Sequence, residues 1–310
     1  MTLDEAIARA CASVGIVPPR GRQPMRKWIA ADTLAKNGKG DGRIILDEER
    51  VTAVNWQTGD KATVWLREER TVEDRKRYAQ ARRAQDAEDR KRAERAADIA
   101  RQIIAAARPG PHAYLARKGF RDEQALVIAS SDVARIGGDY LVSPGAGEAI
   151  VIPARIGKRI TSVQLIWEEG TKKFLYGGEM GGAAHRISTG RDTWLCEGYA
   201  TALSVRAALQ GLNRPGTILV CFSASNVTRV AGALPRQARC LIAADNDAPP
   251  AARPEQFEGM GAGEYFARKA GRPYVMPPEL GTDFNDFHVD QGIFAVQRFL
   301  MKLNREAHVP

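Results

Sequence analysis

From residue 193 onward, short apolar runs alternate with stretches whose apolar positions recur every three or four residues. The run "TWLC" gives way at Glu197 and Gly198 to Ala200, Leu203, Val205, Ala208 and Leu209 at helical spacing, which predicts a strand followed by a helix over about 200–210. The pattern repeats. "TILVCF" leads to "NVTRVAGAL", "ARCLIAAD" leads through a loop to "MGAGEYFARKA", and "PYVMP" precedes a closing helix near 291–303. Strands separated by single helices predict an α/β domain over 191–310, with a mainly parallel sheet flanked by helices and right-handed crossovers.

The pattern upstream is different. "TLDEAIARACASVGI" opens with a capping box, Thr2 to Glu5, and keeps Leu3, Ile7, Ala10, Cys11 and Val14 on one helical face. Strand-like runs "GRIILD", "RVTAVNW" and "ATVWL" follow, so residues 1–65 are expected to form a small α+β module. Residues 66–108 are dominated by Arg, Lys, Glu, Asp and Ala, with no Pro or Gly before Pro109. Such a pattern predicts a long solvated linker helix laced with opposite charges. "ALVIAS", "AIVIPARI", "RITSVQLIWEEG" and "KKFLYGG" then mark a strand-rich module over 109–190.

Composition narrows the classes. The chain has 310 residues, a net charge of +9 and an ordinary apolar share, and the basic excess favours an anionic partner such as nucleic acid or nucleotides. No run approaches the ~20 apolar residues of a membrane span, and the N-terminus lacks the order of a signal peptide, so a cytoplasmic location without a membrane partner is expected. Cys11, Cys196, Cys221 and Cys240 are far apart, which argues against a zinc site or a disulfide framework; the last three lie in apolar runs, as small buried hydrophobes do.

The candidate chemistry lies at strand ends. Glu197 closes the first strand of the series, and Asp245 and Asp247, in "DND", close the third. Ligands of open α/β sheets gather beyond the carboxyl ends of the strands, so these acids are expected to converge. Crowded carboxylates call for a cation, and oxygen-only ligands suit Mg²⁺ or Mn²⁺ rather than zinc. Gly198 would leave room for a phosphate or metal at the backbone. "GTDFNDFHVDQG" adds Asp283, Asp286 and Asp290, read either as auxiliary acids at the same edge or as an Asx-rich turn capping the last helix. The glycines of "LYGGEMGGAAH" form a turn or a phosphate-approaching loop, and no G-x-x-x-x-G-K-[ST] occurs. His112 reads as a packing or capping residue. His185 lies beside that glycine-rich loop, and neither histidine has metal-ligand spacing.

"EGYATALS", "AADND" and "GTDFNDFHVDQG" resemble the Toprim domain of phage- and plasmid-encoded primases, the EGYATA string being similar to that of conjugative-plasmid primases. "PHAYLARKGF" and "SVQLIWEEGTKKFLYGGEMGGAAHRI" resemble segments that precede Toprim in the same proteins. The resemblance implies a DNA primase of a mobile element, making short RNA primers on single-stranded DNA from NTPs, with a separate helicase or replication protein as a candidate partner. It implies Glu197 as catalytic acid, Asp245 and Asp247 as metal ligands with Asp283 or Asp286 auxiliary, and basic residues before Toprim, here Lys172, Lys173 and Arg186, for nucleotide phosphates. The chain departs from the family in lacking cysteines for an N-terminal zinc module and in the irregular segment "APPAARPEQFEG" after Asp247. A Toprim nuclease and an inactive DNA-binding accessory protein are the alternatives. Arg20, Arg22, Arg26 and Lys27 beside Trp28 read either as template or partner engagement by residues 1–108 or as basic residues that merely solvate a loop.

Overall fold

A computed structural model of the chain describes residues 1–21, 23–34, 40–66, 72–251 and 254–303, so Arg22 and the start of the expected charged helix, 67–71, lie outside the described residues. The chain divides into two compact units, residues 1–84 with 248–262, and residues 85–247 with 263–310.

In the first unit, α1 (Leu3–Val14) starts with the capping box read from Thr2 and Glu5 and stops at Gly15, whose φ of 68° only glycine adopts cheaply. Strands β1 (Trp28–Ala31), β2 (Gly42–Leu46), β3 (Arg50–Asn55) and β4 (Lys61–Trp65) form an antiparallel meander in that order. Ile7, Ala10, Cys11 and Val14 of α1 bury themselves against Ile44, Leu46, Val51 and Ala53, so the helical stripe and the strand alternation meet in one core.

Helix α2 (Val72–Ala106) departs from a purely solvated element. Its charged residues 79–91 are largely exposed, but Ala96, Ala100 and Ile103, one stripe at i, i+4 and i+7, are fully buried. Small alanines among charges gave this stripe no apolar signal.

In the second unit, β5 (Arg108–Gly110), β6 (Ala125–Ala129), β7 (Glu148–Ile156), β8 (Arg159–Trp167) and β9 (Lys172–Phe174) form an antiparallel sheet in chain order, with α3 (Ala113–Arg117) and α4 (Ser130–Gly137) in the connections. Ile128, Val151, Val163, Leu165 and Trp167 pack on one face with the α2 stripe. Val127, Ile150, Ile152 and Ile166 alternate onto the other face and share a core with the segment that follows.

That segment is an α/β layer: β10 (His185–Ser188), β11 (Thr193–Cys196), α5 (Tyr199–Gly211), β12 (Thr217–Val220), α6 (Ala224–Ala233), β13 (Cys240–Ala243), α7 (Ala262–Lys269), β14 (Tyr274–Val275), α8 (Phe284–Gln291) and α9 (Ile293–Leu303). The strand order is β10-β12-β11-β13-β14, parallel except for β10. Trp194, Cys196, Val220, Leu241 and Ala243 face α5, α8 and α9, whereas Leu195, Cys221, Ile242 and Ala244 face α6 and α7. The mainly parallel α/β architecture expected from the sequence is therefore present. The four cysteines are free and buried. No helix among the described residues is long and apolar enough to cross a membrane.

Candidate active site

The chain leaves β11 for β12 on one side, then crosses back to β13 on the other. The carboxyl ends of β11 and β13 thus flank the point where the winding reverses, and a crevice opens there in such sheets. Cys196 is level with Ala243 across the β11–β13 pair, which puts Glu197 and Asp245 just beyond adjacent strand tips.

Asp245 is strongly perturbed. Its Oδ1 is buried without a hydrogen-bond partner. Burial pushes its carboxyl well above the usual carboxylate range, the charges of Glu197, Asp283 and Asp247 push it further, and Lys172 opposes them. Glu197, Asp247 and Asp283 therefore all act electrostatically on Asp245 at this edge. Two are committed to helix ends. Asp247 Oδ2 accepts from Gly263 N–H at 3.0 Å at the start of α7. Asp283 Oδ1 accepts from the N–H groups of Asn285 at 2.6 Å and Asp286 at 2.9 Å, capping α8. Asp286 closes the reciprocal box and lies 3.5 Å from Lys118 Nζ. The capping alternative read from "GTDFND" is thus realised, on a helix one earlier than the last. Among the described residues, no three His, Cys, Asp or Glu side chains gather closely enough to hold a metal ion by themselves.

Beside these acids lies a cavity of about 370 Å³, lined by Tyr114, Arg117, Lys118, Lys172, Gly198 and Asp283 among others. His112, capping α3 through Nδ1 at 3.3 Å from Tyr114 N, sets the start of the short helix that delivers Tyr114 and Arg117. Asn285 Nδ2 donates to Lys118 O at 2.8 Å and to Ser204 Oγ at 3.1 Å, tying the Lys118 backbone to α5 and α8. The Tyr114 phenol is pushed up to about 12, by burial first and by Asp283 second, so it stays protonated. Gly198 is the N-cap of α5 and makes no side-chain cap. A Cβ at Gly198 would meet Thr201 Oγ1 at 3.5 Å and Lys172 Nζ at 4.0 Å, both ordinary contacts, so the fold itself does not require glycine there.

Of the cations nominated from sequence, only Lys172 lines this cavity. Lys173 follows it on β9 and so points to the opposite face. Arg186 lies on β10, two strands from β11. Arg117 and Lys118 were missed, although the "PHAYLARKGF" segment that carries them was singled out. The glycine-rich loop is taken up by the protein itself: a Cβ would overlap Ser162 at Gly178 and Arg229 at Gly181, and Gly182 N–H donates to Asn226 Oδ1 at 2.7 Å. In the N-terminal unit, Arg26 pairs with Glu48 at 3.0 Å and Asp47 at 3.7 Å, and Trp28 is exposed.

His185 sits with Nδ1 3.1 Å from Pro153 O and its ring edge-on to Tyr199. Burial, then Arg155, lowers its imidazole to about 4. The native state therefore resists a proton that the unfolded chain accepts below about 6.5, and stability falls as pH drops from that value towards 4. The loss is expected to reach up to about 3 kcal/mol. Urea melts of parent and His185→Gln at pH 7 and 4.5 measure it as a larger drop in the parent; equal drops would show that the ring is not held neutral.

Residues 192–293 match the family model described as the Toprim domain. Two solved structures of bacteriophage T7 proteins are similar. One is the primase fragment of the primase-helicase protein, at 16% identity and a TM-score of 0.35, covering 52% of this chain and 64% of that one. The other is a lagging-strand DNA polymerase interacting with primase domains of two gp4 subunits bound to an RNA/DNA hybrid and dTTP. It matches at 16% identity and a TM-score of 0.37, covering 54% of this chain and 82% of that one. The chain thus spans just under two thirds of the first.

Proposed function

We propose that this chain, whose residues 192–293 are a Toprim domain, is a primase that joins nucleoside triphosphates into short RNA on single-stranded DNA, in the service of a mobile element. The observation that carries the reading is Asp245, a carboxylate with a buried, unpartnered oxygen crowded by Glu197, Asp247 and Asp283 at the carboxyl edge of the sheet. A buried acceptor repelled by its neighbours is relieved by a cation, and the all-oxygen donor set fits Mg²⁺ or Mn²⁺. Asp245, Asp247 and Glu197 would each supply part of its shell, with Asp283 at the margin, and water and nucleotide phosphate oxygens would complete it. When bound, the ion neutralises charge developing on the phosphoryl oxygens.

The remaining work falls to the chain's own groups. Arg117, Lys118 and Lys172 line the neighbouring cavity and would bind the triphosphate of an incoming nucleotide. The uncapped N–H groups opening α5 present a partial positive charge to the same anion. Glu197, at the tip of β11, would orient the attacking hydroxyl and take up its proton. Single-stranded DNA would be held largely through Lys and Arg contacts and lost as salt rises. A separate helicase would supply the template strand.

The test is incubation of the full chain with single-stranded DNA, four NTPs and Mg²⁺ or Mn²⁺. Labelled oligoribonucleotides that depend on DNA are expected; cut DNA instead identifies a Toprim nuclease, and neither product with either metal overturns the reading. Gly198 gives a second test. Gly198→Ser offers the N-cap that α5 lacks, so its melting temperature is expected to hold or rise, while nucleotide turnover falls at least tenfold because the side chain occupies phosphate space. Unchanged turnover would remove Gly198 from the site.

A further inference from the structure

The parallel sheet has a second edge, where the chain enters the strands. There lies a cavity of about 550 Å³. Its floor is apolar: Trp194, Leu209, Leu241 and Leu300 line it, and each is buried. Three arginines line its exposed part, each just ahead of a strand, Arg191 before β11, Arg214 before β12 and Arg239 before β13. Among the described residues, no carboxylate pairs with Arg191 or Arg214, and Arg239 Nε reaches Asp192 Oδ2 at 3.5 Å. The other oxygen of Asp192, Oδ1, is buried with no hydrogen-bond partner. Among the described residues, Asp192 is the only acid lining the cavity.

We propose that this cavity binds a purine nucleoside di- or triphosphate, at a site separate from the carboxyl edge. Its volume falls in the range of small-molecule sites, and an apolar floor with a few convergent polar groups is their usual make-up. Guanidinium groups match phosphate oxygens through paired N–H donors, and three of them suit a ligand with more than one phosphate. The indole of Trp194 and the leucines cover a flat two-ring base. Asp192, whose side chain is partly exposed in this lining, offers a carboxylate acceptor to an amino group on that base. An acidic peptide would also suit the arginines, but its carboxylates would face Asp192 without satisfying it. The site requires neither the metal nor the acids of the carboxyl edge, so it stands whether or not the chain makes primers.

Equilibrium dialysis of the full chain with labelled GTP and ATP, in EDTA to remove metal-assisted binding, tests the assignment. Saturable binding of at least one of them is expected in the parent and in Asp245→Asn. The Arg191→Ala/Arg214→Ala variant, altered only at exposed side chains, is expected to bind at least tenfold more weakly. Pyrophosphate is expected to compete poorly, because it lacks the base. No saturable binding at millimolar nucleotide overturns the proposal. So does equal affinity in the double arginine variant, loss of binding in Asp245→Asn, or pyrophosphate competing as well as the nucleotide.

Discussion

Asp245→Asn is expected to lose metal-dependent turnover by a factor on the order of 10³ while leaving the metal-free protein at least as stable as the parent. Both effects follow from one carboxylate. Its ionised form is disfavoured first by burial and then by Glu197, Asp283 and Asp247, so its native pKa stands above the unfolded value of about 3.8. A group raised in this way binds its proton more tightly in the native state. Its contribution to stability is largest in acid and is lost as pH rises from the unfolded value through the native one. As pH rises the parent carries a growing penalty for ionising a buried, repelled group, and asparagine of the same shape carries none. Thermal melts in EDTA at pH 5 and pH 8 are expected to show the variant's advantage growing with pH. With Mg²⁺ added, the parent is expected to be stabilised and the variant barely so. A variant that turns over at the parent rate in Mg²⁺, or melts below the parent at pH 8, would remove Asp245 from the centre of the site.

Trp167→Ala is the largest expected loss of stability, about 3–5 kcal/mol. Trp167 ends β8, is 0% exposed, and packs with Val163, Leu165 and the buried stripe of α2. Its Nε1–H donates to Leu141 O at 3.0 Å, so truncation both opens a void and strips a buried carbonyl of its donor. Against a total of about 5–15 kcal/mol for an ordinary domain, that loss leaves the second unit marginal. Trp167→Phe keeps most of the volume and is expected to cost less, with the hydrogen bond accounting for about 1 kcal/mol. Chemical denaturation separates the two. A cost below 1 kcal/mol for Trp167→Ala would mean that the sheet and α2 do not close over this side chain.

Local order was legible along the chain. The Thr2–Glu5 box, the stripe of α1, strands β2–β4 and β6–β9 of the two antiparallel sheets and the βα alternation after residue 193 each rest on contacts within a few residues, where spacing of 3.6 or 2 positions fixes which side is apolar. The convergence of Glu197 and Asp245 was legible too, because strand ends in a βα series share an edge by topology. Tertiary structure alone decided the rest. Lys172 lines the nucleotide-sized cavity and Lys173 does not, since pleating sends neighbours to opposite faces and only the packed sheet says which face is which. Arg117 and Lys118 line one cavity with Gly198 and Asp283 because a short capped helix is pinned to α5 and α8 through Asn285, whose side chain bridges to a residue 167 positions away. The alanine stripe of α2 and the arginine-lined cavity at the far edge of the sheet follow the same rule. Sequence periodicity reports the face of one element, whereas the partner of that face is chosen by long-range packing, which no local pattern encodes.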